Sequence, residues 1–202
     1  MKRTLLLGLF GLASASASSV PYSQPWMQKL PAWTSVVRSC GVPVPLPILA
    51  ADDFTSTTGG VYNNIVWWGT VTSPAQLQRR WYIATYNDNG FGQPNFGAPL
   101  WRTCVVPVAA LAGVDCQGMR VYKFGVTLPS SAPMPVIVGK QWLVIAEDDS
   151  ASIQPGVPDF AWSACQPVQN SPAVQFDNLG IFTQPLLDPC NGGKDDLAFV
   201  LS

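Results

Sequence analysis

After position 52 the hydrophobic and polar residues alternate with a period of two. In MRVYKFGVTL, Arg120, Tyr122, Phe124, Val126 and Leu128 fall on one side, and Met119, Val121, Lys123, Gly125 and Thr127 on the other. Neighbouring side chains of a strand point to opposite faces, so this pattern predicts a half-buried β-strand. RRWYIATY divides in the same way, with Arg79, Trp81, Ile83 and Thr85 opposite Arg80, Tyr82, Ala84 and Tyr86. KQWLVIAE separates Leu143 and Ile145 from Trp142, Val144 and Ala146. Shorter candidates are VYNNIVWW, LWRTCVV, PDFAWSA, AVQFDN and DLAFVL, separated by turn-forming stretches such as TSTTGG, NDNGFGQP, PSSAP, DDSASIQPG and CNGGKDD. No amphipathic helical period follows Asp52. This succession predicts an all-β fold, a two-sheet β-sandwich of jelly-roll type over residues 52–202.

The first part of the chain reads differently. Residues 1–17 carry Lys2 and Arg3, then an apolar run from Thr4 to Leu12, then the small-residue sites Ala13-Ser14-Ala15 and Ala15-Ser16-Ala17. That is the layout of a cleaved secretory signal; the run falls short of the roughly 20 residues that span a bilayer. Residues 18–51 hold prolines at 21, 25, 31, 43, 45 and 47, which favours an extended backbone. They are expected to form a Pro-rich N-terminal extension packed on or beside the domain.

Composition narrows the function classes. Of the 202 residues, 48% are hydrophobic and 11% charged, against about 25% charged in an ordinary soluble domain. The surface is thus built largely of uncharged polar residues. Without Lys2 and Arg3 the chain has nine basic and twelve acidic residues, a net charge of −3. A nucleic-acid partner is not expected of such a balance. No second long apolar run follows, so the mature chain is expected to have no transmembrane segment and to be secreted or cell-surface associated.

An exported chain favours disulfides over thiol chemistry. Of the five cysteines, Cys104 and Cys116 enclose a short loop and are paired first; Cys165 and Cys190 bracket the last long loop and form the second expected pair. Cys40 is left odd, to pair between chains or to take Cys165 or Cys190.

The succession DDF, GGxxxNIxWWG, YNDNGFGQP, GKQWLVIA, FAW and DLAFVL, over residues 52–201, resembles a family of secreted bacterial β-sandwich surface domains. The resemblance implies a jelly-roll architecture and an extracellular location, and no particular chemistry. Members sometimes precede a C-terminal sorting tail. Here Ser202 follows the DLAFVL strand directly, so the chain is expected to be released or held by other means.

The chain has no histidine, which removes Ser-His-Asp and Cys-His catalysis and imidazole metal ligands. GxSxG, HExxH and phosphate-loop motifs are absent too. Glu147, the single glutamate, stands with Asp148 and Asp149 after a strand and is read as a solvated turn; a carboxylate dyad or calcium site is the alternative. YNDNG reads as a tight turn rather than a calcium loop. Asp52 and Asp53, near the start of the domain, are expected to meet Asp195 and Asp196, near its end, as caps and backbone acceptors more than as metal ligands. No cofactor is expected beyond a weak case for calcium.

Tryptophan carries the strongest signal. In NNIVWWGTV the adjacent Trp67 and Trp68 must point to opposite faces, so one belongs to the sandwich core. The other is expected in a satellite layer beneath the Pro-rich extension, or else exposed. Exposed aromatics would suit sugar rings, which stack on Trp and Tyr while amides and carboxylates read the hydroxyls. The candidate ligand set is Trp68, Trp81, Tyr86, Asn87, Asp88, Asn89, Gln93 and Trp101. The expected function is therefore a non-catalytic secreted β-sandwich acting as a binding or surface module, with an extracellular glycan as partner. The alternative is a structural subunit of an extracellular layer or filament, in which the N-terminal arm joins a neighbouring copy.

Overall fold

The computed structural model describes residues 20–24, 32–34, 36–37, 48–95, 99–148, 160–165, 168–169, 171–177, 183–186 and 194–202. The signal-like leader, Trp26, Cys40, Asp149 and Cys190 lie outside them. The described residues form two large antiparallel sheets packed face to face, a β-sandwich.

The first sheet has eight strands. Its continuous run is β1 (Tyr22–Gln24), β17 (Phe199–Leu201), β6 (Asn64–Val71), β10 (Arg120–Thr127) and β9 (Val108–Val114). β13 (Phe160–Cys165) continues beside β6 beyond the end of β17, and pairs in turn with β2 (Ala32–Thr34) and β16 (Asp196–Leu197). The second sheet runs β15 (Thr183–Pro185), β14 (Val174–Asp177), β4 (Ile48–Ser56), β12 (Gly139–Asp148), β7 (Trp81–Asn87) and β8 (Trp101–Val105). β3 (Val36–Val37) joins the end of β12 in parallel. A two-stranded sheet of β5 (Gly60–Tyr62) and β11 (Met134–Val136) adds Tyr62, Met134 and Val136 to the core. From β4 onward the chain passes repeatedly from sheet to sheet, the alternation expected of a jelly roll.

The described parts of residues 18–51 are integrated rather than laid on top. β1 and β2 are strands of the first sheet, β3 of the second, and β4 runs through the expected boundary at position 51. Tyr22 stacks on Phe199 with centroids 5.4 Å apart, and the Tyr62 hydroxyl donates to the Val20 carbonyl at 2.7 Å.

The core between the sheets takes every second residue from each. β6 supplies Ile65 and Trp67, β10 Phe124, β7 Trp81 and Ile83, and β12 Leu143 and Ile145. Gly69 has a steric reason: a Cβ there would lie 2.1 Å from Cε2 of Phe160, whose ring rests on the glycine. The outer face of the second sheet is buried as well, through Leu49, Ala51, Tyr82, Ala84, Tyr86, Trp142, Val144, Ala146, Val174 and Phe176. β12 is therefore apolar on both sides, as strands buried on two faces are.

Among the described residues no helix is long and apolar enough to cross a membrane. A helical turn, Pro74–Gln78, links β6 to β7 and begins with a capping box between Ser73 and Gln76.

Candidate functional site

The adjacent tryptophans separate as strand geometry requires. Trp67 is fully buried, stacked on Phe124 with centroids 5.5 Å apart. Trp68 lies on the outer face of the first sheet and keeps part of its ring in solvent. The satellite layer expected around it is found on the outer face of the other sheet. Across the ladder Trp68 faces Lys123, whose Nζ is 5.7 Å from the indole centroid, a cation–π distance.

Beside this pair the sheet is indented. Gly125 lies one same-face step along β10 from Lys123, and a Cβ there would meet only Val66 Cγ2, at 3.9 Å. The missing side chain opens a hollow of about 220 Å³ bounded by Lys123, Val108 and Ala110. A second hollow of about 500 Å³, reaching Asn64, Val66 and Thr127, shares Val108 and Gly125 with it. Thr127 Oγ1 donates to Asn64 Oδ1 at 2.8 Å, leaving the Asn64 amide N–H groups as donors at that end. A partly exposed indole, an ammonium group, apolar walls and an amide thus occupy one nearly flat surface.

The other candidate ligand residues do not join it. Trp81 has no exposed surface; Trp67, Phe124 and Phe160 enclose it with ring centroids at 5.5, 4.8 and 4.3 Å, so it is core and not a stacking platform. Tyr86 is also corrected to a buried residue, its hydroxyl 3.3 Å from that of Tyr82, and burial above all raises its pKa. Trp101 packs its partly buried ring against the sandwich core. Both corrections have one cause: β7 lies inside a sheet that is covered on its two faces.

Asn87 ends β7, and Asp88, Asn89 and Gln93 follow in the loop after it, on the second sheet, where Asp88 and Asn89 accept hydrogen bonds from the protein itself. Asp88 Oδ1 accepts from the N–H of Gly90 at 2.7 Å, and its Oδ2 from Trp142 Nε1 at 2.9 Å. Asn89 Oδ1 accepts from the N–H groups of Phe91 and Gln93 at 2.8 and 3.3 Å. Gly90 and Gly92, at φ of 84° and 74°, supply the left-handed residues the turn needs. Both Asp88 oxygens are engaged by the protein itself, and no group of three or more acidic, Cys or His side chains among the described residues could hold a metal ion.

The acidic residues are buried instead of solvated. Glu147 and Asp148 close β12, ion-paired with Arg79 and Arg80 at 2.8 and 2.9 Å. The solvated turn expected there is corrected to a paired strand end. Asp52, Asp53, Asp195 and Asp196 are all buried, and they do meet, because β4 and β16 bring the two aspartate pairs together. Asp52 accepts from the backbone N–H groups of Asp53 and Leu197, Asp53 from that of Ser171, and Asp196 from that of Gln169. Lys140 Nζ pairs with Asp53 Oδ2 at 2.6 Å, and Gln24 Nε2 donates to Asp196 Oδ2 at 2.9 Å. Burial first, and Asp196 next, push the Asp52 carboxyl well above its ordinary range; burial also raises Asp196, to about 7. Through these hydrogen bonds and the Lys140 pair the cluster ties the start of the domain to its end as a polar clasp.

Cys165 adjoins this clasp as a free buried thiol, which corrects the expected Cys165–Cys190 pair. Its Sγ is directed at the Leu197 carbonyl at 3.7 Å, inside the sandwich, and burial above all raises its pKa. A thiol kept protonated and out of solvent is a poor nucleophile. Cys104 and Cys116 are disulfide-bonded.

Lys123, Gly125, Val66, Val108, Asn64 and Thr127 were not singled out by the sequence. The one available signal was Gly125, a glycine inside a strand pattern, which often marks a close approach or a gap.

No protein-family model matches the chain, and no curated protein does. One similar solved structure is that of the cysteine protease and lectin-like domains of Cwp84, a surface layer associated protein of Clostridium difficile. It has a TM-score of 0.43 and 10% identity, over 76% of this chain and 31% of that one. This chain thus spans less than a third of that chain's length.

Proposed function

We propose that this chain is a secreted, non-catalytic β-sandwich module that binds glycan on the outer face of its eight-stranded sheet. The observation that carries the reading is Trp68, an indole partly open to solvent on a flat face, set beside the hollow over Gly125. A pyranose offers a C–H face to such a ring and hydroxyls to groups such as Asn64 and Thr127. The buried acids and thiol support the non-catalytic part, since none combines exposure with an activating partner. The signal-like leader and the low charge support export.

Binding of the mature chain to a glycan array and to insoluble polysaccharides tests this. Saturable binding that Trp68→Ala weakens about tenfold or more is expected, a loss equivalent to about 1.4 kcal/mol. Absence of binding, or binding that Trp68→Ala leaves unchanged, would overturn it.

The structural-subunit reading is favoured by a different observation: among the described residues β9 has no strand beyond it and forms the edge of the same sheet. β9 carries no charge, and Val108 and Leu111 are 81% and 63% exposed. Unprotected edges of this kind pair with other strands. The arm strand β1, by contrast, is bound within its own chain. Concentration-dependent sedimentation that Val108→Lys abolishes would establish this second reading; a monomer at all concentrations would remove it.

A further inference from the structure

We infer that the ligand of the Trp68 face is an anionic glycan, a polymer of uronic acid or sulfated sugar, whose acidic group pairs with Lys123 while its ring stacks on Trp68. This rests on the proposed glycan reading and narrows it.

The argument is one of charge placement. The chain as a whole is acidic, at a formal net charge of −1. Yet the three strands that build this face, NIVWWGTV, VAALAGV and RVYKFGVT, contain no aspartate or glutamate, and the face presents the exposed cation Lys123. Among the described residues, Arg79, Arg80 and Lys140 each pair with a carboxylate. Among the described residues Lys123 makes no ion pair, and its ammonium group is directed toward the ring a sugar would cover.

Geometry adds to charge. Trp68 and Lys123 are cross-strand partners with the ammonium group over the indole, so a sugar ring that stacks there meets the ammonium group directly as it takes its place. One same-face step along β10, about 6.8 Å, brings the chain to Gly125 and the hollow, which would take the next residue of a polymer. The Asn64 amide stands at the far end of the second hollow, as a donor to a hydroxyl or a carboxylate. A neutral glycan would leave the ammonium unanswered; an anionic one meets it beside a partly desolvating aromatic, where a charge pair is worth more than in open water.

The test is titration of the full chain with polygalacturonate, and with the same polymer reduced at its carboxyls to neutral galactan. Binding to polygalacturonate at least about tenfold tighter than to galactan, weakened by salt, is expected. Lys123→Gln should weaken polygalacturonate binding about tenfold and galactan binding much less, and Gly125→Val should weaken both. Trp68→Phe should retain most of the binding and Trp68→Ala lose it. Equal binding of the two polymers, with Lys123→Gln silent, would overturn the anionic preference and leave the glycan reading standing. Binding of neither, with a blank glycan array, would sink both. Binding lost with Lys123→Gln yet indifferent to Trp68→Ala would be simple ion exchange and would overturn the site. A dimer that Val108→Lys separates would give the face to a second copy and likewise overturn it.

Discussion

Trp67 and Trp68 are neighbours in the chain and opposites in energetics. Truncating a fully buried tryptophan loses transfer free energy and leaves a cavity, so Trp67→Ala is expected to cost about 3–5 kcal/mol. Trp68→Ala removes a partly exposed ring and should shift stability by less than about 1 kcal/mol. Paired urea denaturation curves measure the difference; equal midpoints would contradict the assignment of faces. Gly69 tests the same packing from the other side, because a Cβ at 2.1 Å from Phe160 forces ring or backbone to move. Gly69→Ala should cost about 1–3 kcal/mol, read from the same curves. At this scale much was legible beforehand, since alternation required one tryptophan in and one out. What alternation could not say was that Trp81 and Tyr86 are both covered, which depends on what lies over each face of β7 and not on β7 itself.

At the scale of elements, the short strand β1 ties the start of the described chain to its end. It pairs with β17, places Tyr22 on Phe199 and sends the Gln24 amide to Asp196. Gln24→Ala removes a hydrogen bond to a buried acid and should cost about 1–3 kcal/mol in denaturant midpoint. A stability unchanged by that substitution would mean that β1 is not held by the clasp. Three-residue strands such as β1 and β15 have no period long enough to register in a sequence; tertiary pairing makes them strands. The long strand β10 was visible because its residues repeat one alternation, and β12 because a continuous apolar run, WLVIA, marks a strand buried on both faces. The described parts of residues 18–51 are strands of the two sheets, because an extended backbone is equally the shape of a sheet strand.

For the molecule as a whole, the carboxyl clasp sets a direction for pH dependence. Asp196 titrates at about 7 when folded, against an ordinary value of 3.8, and Asp52 is raised as well. Between those values the folded chain binds more protons than the unfolded one, so this contribution to stability falls as pH rises and is lost above about 7. Melting temperature should therefore rise as pH is lowered from 8 to 5, and Asp196→Asn should flatten that slope. A wild-type melting temperature that increases over the same range toward pH 8 would contradict the clasp.

The sequence by itself determined the local half of this protein: which residues share a face, where the chain turns, that the fold is all-β, and that histidine chemistry is excluded. It also placed one tryptophan of the pair outside the core. Only the tertiary structure decided which faces are covered, which strands lie at edges, and which distant residues become partners. Lys123 meets Trp68 through strand register, and Asp196 meets Asp52 across the two packed sheets; both depend on the summed fit of two whole surfaces. The side-chain period of a strand is a property of one backbone, whereas burial and pairing belong to two, and the second is not written in either strand alone.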